Sequence, residues 1–134
     1  MRRDAREAVY RLLYSYFLTE EWDGELKKNC FAEHKLNDKD VEFADGLIAR
    51  ILESESKHNE SISELANSFS FDRINYLDRA ALVIAMTEID FYDDIDAAVS
   101  IDEAVRLVKK YSTENSLAFV NGMLAEYVRR KGNA

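Results

Sequence analysis

The chain has 134 residues, 47% hydrophobic and 33% charged, the proportions of one soluble domain with a single core. No apolar run approaches the roughly 20 residues of a membrane span, and the opening Met1-Arg2-Arg3-Asp4 is not followed by a signal-type apolar stretch, so a cytoplasmic location is expected. A net charge of -8 excludes a broad basic groove for nucleic acid, because phosphate contacts need Lys and Arg; it leaves room for a small local basic site.

The chain has no proline and four glycines. Sheet-rich domains need frequent turn residues, so their scarcity beside many Ala, Leu, Glu and Lys residues predicts helices joined by polar turns. The first helix is predicted from about Asp4 to Thr19, with Ala5, Ala8, Val9, Leu12 and Tyr16 on one stripe. The acidic run Glu20-Glu21-Trp22-Asp23-Gly24 interrupts it, and a short helix or loop passes through Leu26, Cys30 and Phe31. Cys30 is the single cysteine, so no intramolecular disulfide forms. Cys30 and His34 lie four apart, but two ligands do not make a structural zinc site, and both are read as ordinary residues.

Asn37 and Asp38 are candidate caps for a helix that buries Val41, Ala44, Ile48, Ile51 and Leu52. The polar stretch from Glu53 to Glu60 ends that helix or forms its solvated last turns. Ile62, Leu65, Ala66 and Phe69 predict a further short helix. Asp72 is the expected opening of a central helix. From Tyr76 to about Phe91 this helix is apolar nearly all round, through Leu77, Ala80, Ala81, Leu82, Val83, Ile84, Ala85, Met86 and Ile89, and so belongs in the middle of a bundle. After the acidic loop Asp93-Asp94-Ile95-Asp96, Ser100 and Glu103 have the spacing of a capping box for a helix burying Ala104, Val105, Leu107 and Val108. Ser112 or Thr113 starts the last helix, which buries Leu117, Val120, Leu124 and Val128. It ends in Arg129-Arg130-Lys131-Gly132, cations suited to the negative end of a helix. No repeat or linker divides residues 1–134. The predicted architecture is one all-α domain of two small helical bundles sharing the central helix.

Several residues fall outside these core stripes. At about 100° per residue, Arg3, Tyr10 and Tyr14 share a face of the first helix opposite the core stripe, with Arg6 on its flank. Cations bind phosphates and exposed aromatic rings stack on unpaired bases. Composition alone favours plain solvent charges and tyrosines packed under another helix, since Asp4 and Glu7 dilute the local charge. Phe119 lies off its helix's stripe, which is equally compatible with a contact surface and with a second buried face. Glu88 lies in line with Leu77, Ala81 and Ile84. A carboxylate there must be paired or at a rim; a salt bridge near the helix end is the commoner outcome, and hydrogen bonding to a base or a partner's backbone is the functional one. Gly122 and Asn121 read as structural, at a close helix contact. No phosphate-cradling glycine loop, nucleophile elbow or metal-binding helix signature is present, so no catalytic residue, metal or cofactor is assigned.

Three segments in order resemble the NusB family of bacterial transcription antitermination proteins. They are Asp78 to Ile89, which carries an apolar-Glu-aliphatic ending; Ile101-Asp102-Glu103-Ala104-Val105-Arg106-Leu107-Val108-Lys109, similar to that family's INEAVELAK; and Phe119-Val120-Asn121-Gly122-Met123-Leu124, similar to FVNGVL. At the N-terminus, Ala5-Arg6-Glu7-Ala8 followed by Leu13-Tyr14 is similar to the family's AR-x-x-A…LY opening. The resemblance covers most of the chain and is poor from Glu20 to His34. It implies an all-α fold of two bundles. It also implies binding to the single-stranded boxA element of nascent ribosomal RNA, with the small-subunit ribosomal protein NusE as partner, to carry RNA polymerase past termination signals. The positions it implies for RNA contact are Arg2, Arg3, Arg6, Tyr14, Glu88 and Phe119, and Tyr10 joins them from the helical wheel. Asp4 interrupts the usual arginine cluster, Asp102 replaces the asparagine of INEA, and Asp96 replaces a proline usual before it; RNA affinity is therefore expected to lean on the protein partner. Self-association, known in the family, would hide the RNA face. The other reading is an acidic helical protein–protein adaptor that has lost RNA binding.

Overall fold

A computed structural model describes residues 1–66 and 73–132. Among the described residues there are seven helices and no strand: α1 (Arg2–Thr19), α2 (Gly24–Glu33), α3 (Asp38–Glu53), α4 (Glu55–Ala66), α5 (Tyr76–Phe91), α6 (Ala97–Tyr111) and α7 (Glu114–Gly132). Phe69 and Asp72, expected in or at the start of helices, lie outside the described residues.

Local chemistry sets most of the boundaries. The Asp23 carboxylate accepts from the Glu25 and Leu26 backbone N–H groups and opens α2. Asn37 and Asp40 form a reciprocal capping box at α3, where Asp38 is the first helical residue rather than the cap. Asn75 caps α5 by accepting from the Asp78 N–H. The expected capping box at Ser100 is not there. Asp96, four residues earlier, caps the helix instead: α6 already begins at Ala97, and Ser100 lies inside its first turn with its hydroxyl donating to Glu88. The Asp96 carboxylate takes the otherwise free Ala98 N–H, so Ser100 is released for tertiary work.

Helix α5 is buried from Ala80 through Glu88 and packs against helices on both sides. With α1, α2 and α3 it makes an N-terminal bundle; with α4, α6 and α7 it makes a C-terminal one. The shared helix explains the all-round apolar pattern, since each side faces a different bundle. Leu82, Ile84 and Met86 are fully enclosed, each contributing about 1.5–3 kcal/mol by removal from water. In α3 the buried face is carried by Phe43, Ala44, Leu47, Ile48 and Ile51, whereas Leu52, expected inside, is 39% exposed. Val120, Met123, Leu124 and Tyr127 form the buried face of α7.

Two polar knots tie α5 into the C-terminal bundle. At the end of α5, Asp90 accepts from the Tyr127 hydroxyl of α7 at 2.8 Å, lies 2.8 Å from His58 Nε2 of α4, and is also held by Lys131. At its start, Asp78 accepts from the hydroxyls of Ser112 and Ser116, both at 2.8 Å, fixing the entry of α7. No helix among the described residues is long and apolar enough to cross a membrane.

Candidate nucleic-acid interface

The N-terminal arginines divide into two kinds. Arg2 and Arg3 are exposed, each leaning on a carboxylate: Arg2 on Asp94 at 3.3 Å and Arg3 on Glu103 at 3.0 Å. Arg6, placed by the wheel on the flank, is 5% exposed. Its guanidinium forms a two-pronged ion pair with Glu88, Nε to Oε2 at 2.7 Å and Nη2 to Oε1 at 2.8 Å. Glu88 is 1% exposed and also accepts from Ser100 at 3.0 Å. Burial leaves neither Arg6 nor Glu88 a face toward solvent; the pair joins α1 to α5 and, through Ser100, to α6. For Glu88, the salt bridge is the outcome found.

Tyr10 is a correction to the wheel. It was expected beside Tyr14 on an outward face, but it is 1% exposed and its ring lies 5.5 Å from that of Tyr111. The cause is that α1 is packed by α2, α3, α5 and α6, so little of its circumference is free. Glu7 is buried on the same side. Burial pushes its carboxyl up, but Lys110 at 2.6 Å and the nearby His34 outweigh that, and its pKa ends below the ordinary value.

Tyr14 and Phe119 behave differently. Tyr14 is 37% exposed, and Phe119 is half-buried against the core. Phe119 lines a groove of about 500 Å³ together with Arg73, Asn75, Asp78, Asn115 and Ser116. Tyr14 lines an adjoining groove of about 330 Å³ with Tyr76 and Leu77. Both grooves are bordered by Arg73, Ile74 and Asn75, so Tyr14 and Phe119 stand at the two ends of one run of surface. A third space, of about 410 Å³, again touches Tyr14. The arrangement offers aromatic faces, amide and hydroxyl hydrogen-bonding groups and one guanidinium along a continuous depression, the chemistry suited to unpaired bases.

Arg73, Asn75, Tyr76, Asp78, Asn115 and Ser116 were not singled out from the sequence. Asn75 and Asp78 were visible only as polar residues near a helix start, and nothing local says that the starts of α5 and α7 meet. Arg2 and Arg3 are on α1 beyond these grooves; Glu103, which Arg3 contacts, is partly buried and held by Arg106 and Arg3 below its ordinary pKa despite the upward push of burial. No grouping of three or more His, Cys, Asp or Glu residues able to hold a metal occurs among the described residues.

Comparison with known proteins places this geometry. The NusB family profile matches residues 3–129. The transcription antitermination protein NusB of Finegoldia magna is 31% identical over 133 residues, covering 99% of this chain and 97% of that protein. The structure of NusB from T. maritima superposes with a TM-score of 0.87 at 34% identity, covering 94% of this chain and 89% of that one. A chain from the crystal structure of the antitermination factors NusB and NusE in complex with double-stranded RNA superposes with a TM-score of 0.79 at 31% identity, covering 93% of each. Profile, sequence and fold agree over nearly the whole length: this chain belongs to the NusB family.

Proposed function

We propose that this protein is a transcription antitermination factor that binds boxA-type single-stranded RNA together with a NusE-type ribosomal protein, promoting readthrough by RNA polymerase in ribosomal RNA operons. The observation that carries the RNA reading is the continuous depression with Tyr14 at one end and Phe119 at the other, bordered by Arg73 throughout. Exposed rings take unpaired bases by stacking, which favours single-stranded over paired RNA at this surface. Arg2 and Arg3 serve as phosphate contacts that position the strand without reading its sequence. Arg6 and Glu88 act from inside, setting the angle of α1 against α5 and α6. The protein works by binding rather than by catalysis.

Support for the partner comes from the family: a relative of the same fold is found with NusE and double-stranded RNA. The net charge of -8 fits an arrangement in which the partner protein supplies much of the attraction for RNA. The adaptor reading, without RNA, is disfavoured by the same relative.

The test is a double variant, Tyr14→Ala with Phe119→Ala, measured for binding to a labelled boxA-type RNA. Stacking on each ring contributes roughly 1–3 kcal/mol, so affinity should fall at least tenfold while the helical circular dichroism stays unchanged. Undiminished affinity in a folded double variant contradicts this site.

A further inference from the structure

The third space bordering Tyr14 lies between α1, α2, α5 and α6, and Tyr10, Arg11, Leu26, Cys30 and Tyr111 line it. Tyr14 and Leu77 are common to this space and to the adjoining groove, so the two run into each other. Tyr10 has an unusual position here. Its hydroxyl is closed from solvent and has no hydrogen-bond partner among the described residues. An unpaired buried hydroxyl is costly, and a phenylalanine would fill the same volume without that cost. Burial, and after it the negative charge of Asp78, holds the phenol in its protonated, donating form.

We propose that this space receives one unpaired base of the bound RNA, stacked on Tyr14, with the Tyr10 hydroxyl donating a hydrogen bond to an acceptor on the base's edge. The proposal rests on the RNA-binding reading above and adds the residue that reads a base. Tyr14 borders both spaces, and in the proposed complex its ring turns aside so that the base edge reaches the enclosed Tyr10 hydroxyl. Arg11 stands at the rim, already 2.9 Å from Glu33 and 3.3 Å from His34 Nε2, and offers a cation to the adjacent phosphate. A base suits the space on three counts: aromatic rings of Tyr14 and Tyr111 border it, it continues the proposed RNA surface, and every base carries an edge acceptor. An aliphatic side chain from a protein partner would leave the Tyr10 hydroxyl unpaired.

Tyr10→Phe removes one oxygen and keeps the ring, so the full-length variant retains its fold. The probes are a labelled boxA-type RNA and a series of the same RNA with one abasic position each. The expected result is that Tyr10→Phe weakens binding of the intact RNA by roughly three- to tenfold, the scale of one hydrogen bond. At one abasic position that difference between parent and variant should vanish, while the melting temperature of the variant is unchanged or higher. If the variant binds the intact RNA as tightly as the parent while Tyr14→Ala does not, the RNA reading stands and this pocket assignment falls. If Tyr10→Phe weakens only the binding of the NusE-type protein, the space belongs to that partner and the proposal is overturned. If the parent itself binds no RNA even with the partner, the underlying reading fails, and this one with it.

Discussion

Arg6 and Glu88, 82 positions apart in the chain, meet inside the protein through two parallel hydrogen bonds of 2.7 and 2.8 Å. The pair is closed from water on both sides, and Ser100 fills a further acceptor site on the carboxylate. Such a pair is weak evidence for net stability, because desolvating both ions offsets much of their attraction. Removing one partner is another matter, since the other ion is left buried and alone. Arg6→Met should destabilise the fold by about 3–5 kcal/mol in chemical denaturation, and Arg6→Met with Glu88→Leu should recover much of the loss. If Arg6→Met leaves stability intact and lowers only RNA affinity, Arg6 is a surface phosphate contact after all.

For Arg2 and Arg3 the opposite pattern is expected. Both are exposed, and their ion pairs with Asp94 and Glu103 contribute little to stability. Each arginine that neutralises a phosphate releases counterions, so Arg2→Ala and Arg3→Ala should each reduce the slope of log affinity against log salt by about one. Asp94→Asn frees Arg2 from its acidic neighbour and should strengthen RNA binding, most visibly at low salt. A salt slope unchanged by either arginine substitution rules these two out as phosphate contacts.

These contrasts show what was legible in the sequence. The helices were, because buried faces recur at helical spacing, and α5 announced its central place by being apolar all round. The face of α1 was not. Arg6, Glu7 and Tyr10 look like a solvated face, but Glu88, Lys110 and Tyr111 arrive from α5 and α6 to bury them. A wheel drawn for one helix cannot know that four others surround it. Tyr14 and Phe119 were legible as residues off their stripes, and the grooves beside them were not, since these exist only where the starts of α5 and α7 converge. Ser100 misled for a similar reason: its spacing to Glu103 fits a cap, while its hydroxyl is spent on Glu88 across the bundle.

The Asp90 knot makes stability depend on acid. Burial raises the pKa of this carboxyl, but hydrogen bonds from His58, Lys131 and Tyr127 pull it far below the ordinary value of 3.8. A carboxylate with a depressed folded-state pKa stabilises the fold at pH above its unfolded value, and that stabilisation is lost as pH falls toward the folded one. Asp90→Asn should therefore cost about 1–3 kcal/mol at neutral pH, and the gap between parent and variant should close progressively below about pH 4. High salt is the right background, because Glu126, exposed beside Arg129 and Arg130 and pulled down to about 2 by them, titrates in the same range and is screened there. A gap that stays constant into acid shows that the knot does not depend on the Asp90 charge.

Ser116 connects the fold to the groove. Its hydroxyl donates to Asp78 at 2.8 Å, and both residues line the space beside Phe119. Ser116→Ala leaves the buried Asp78 with one donor fewer and loosens the meeting of α5 with α7. Unfolding experiments should register a loss of about 1–3 kcal/mol, and RNA affinity should fall alongside it. Lowered stability with unaltered RNA affinity would separate this groove from the bound strand.

The central claim is that this chain binds RNA as one half of a pair. Fluorescence anisotropy of a labelled boxA-type RNA, titrated with the chain alone and with its NusE-type partner at two salt concentrations, tests it most directly. The account predicts weak, salt-sensitive binding by the chain alone and a marked gain in affinity when the partner is present. Absence of binding in both titrations, with the two proteins shown to associate, would contradict it and leave a protein adaptor in its place.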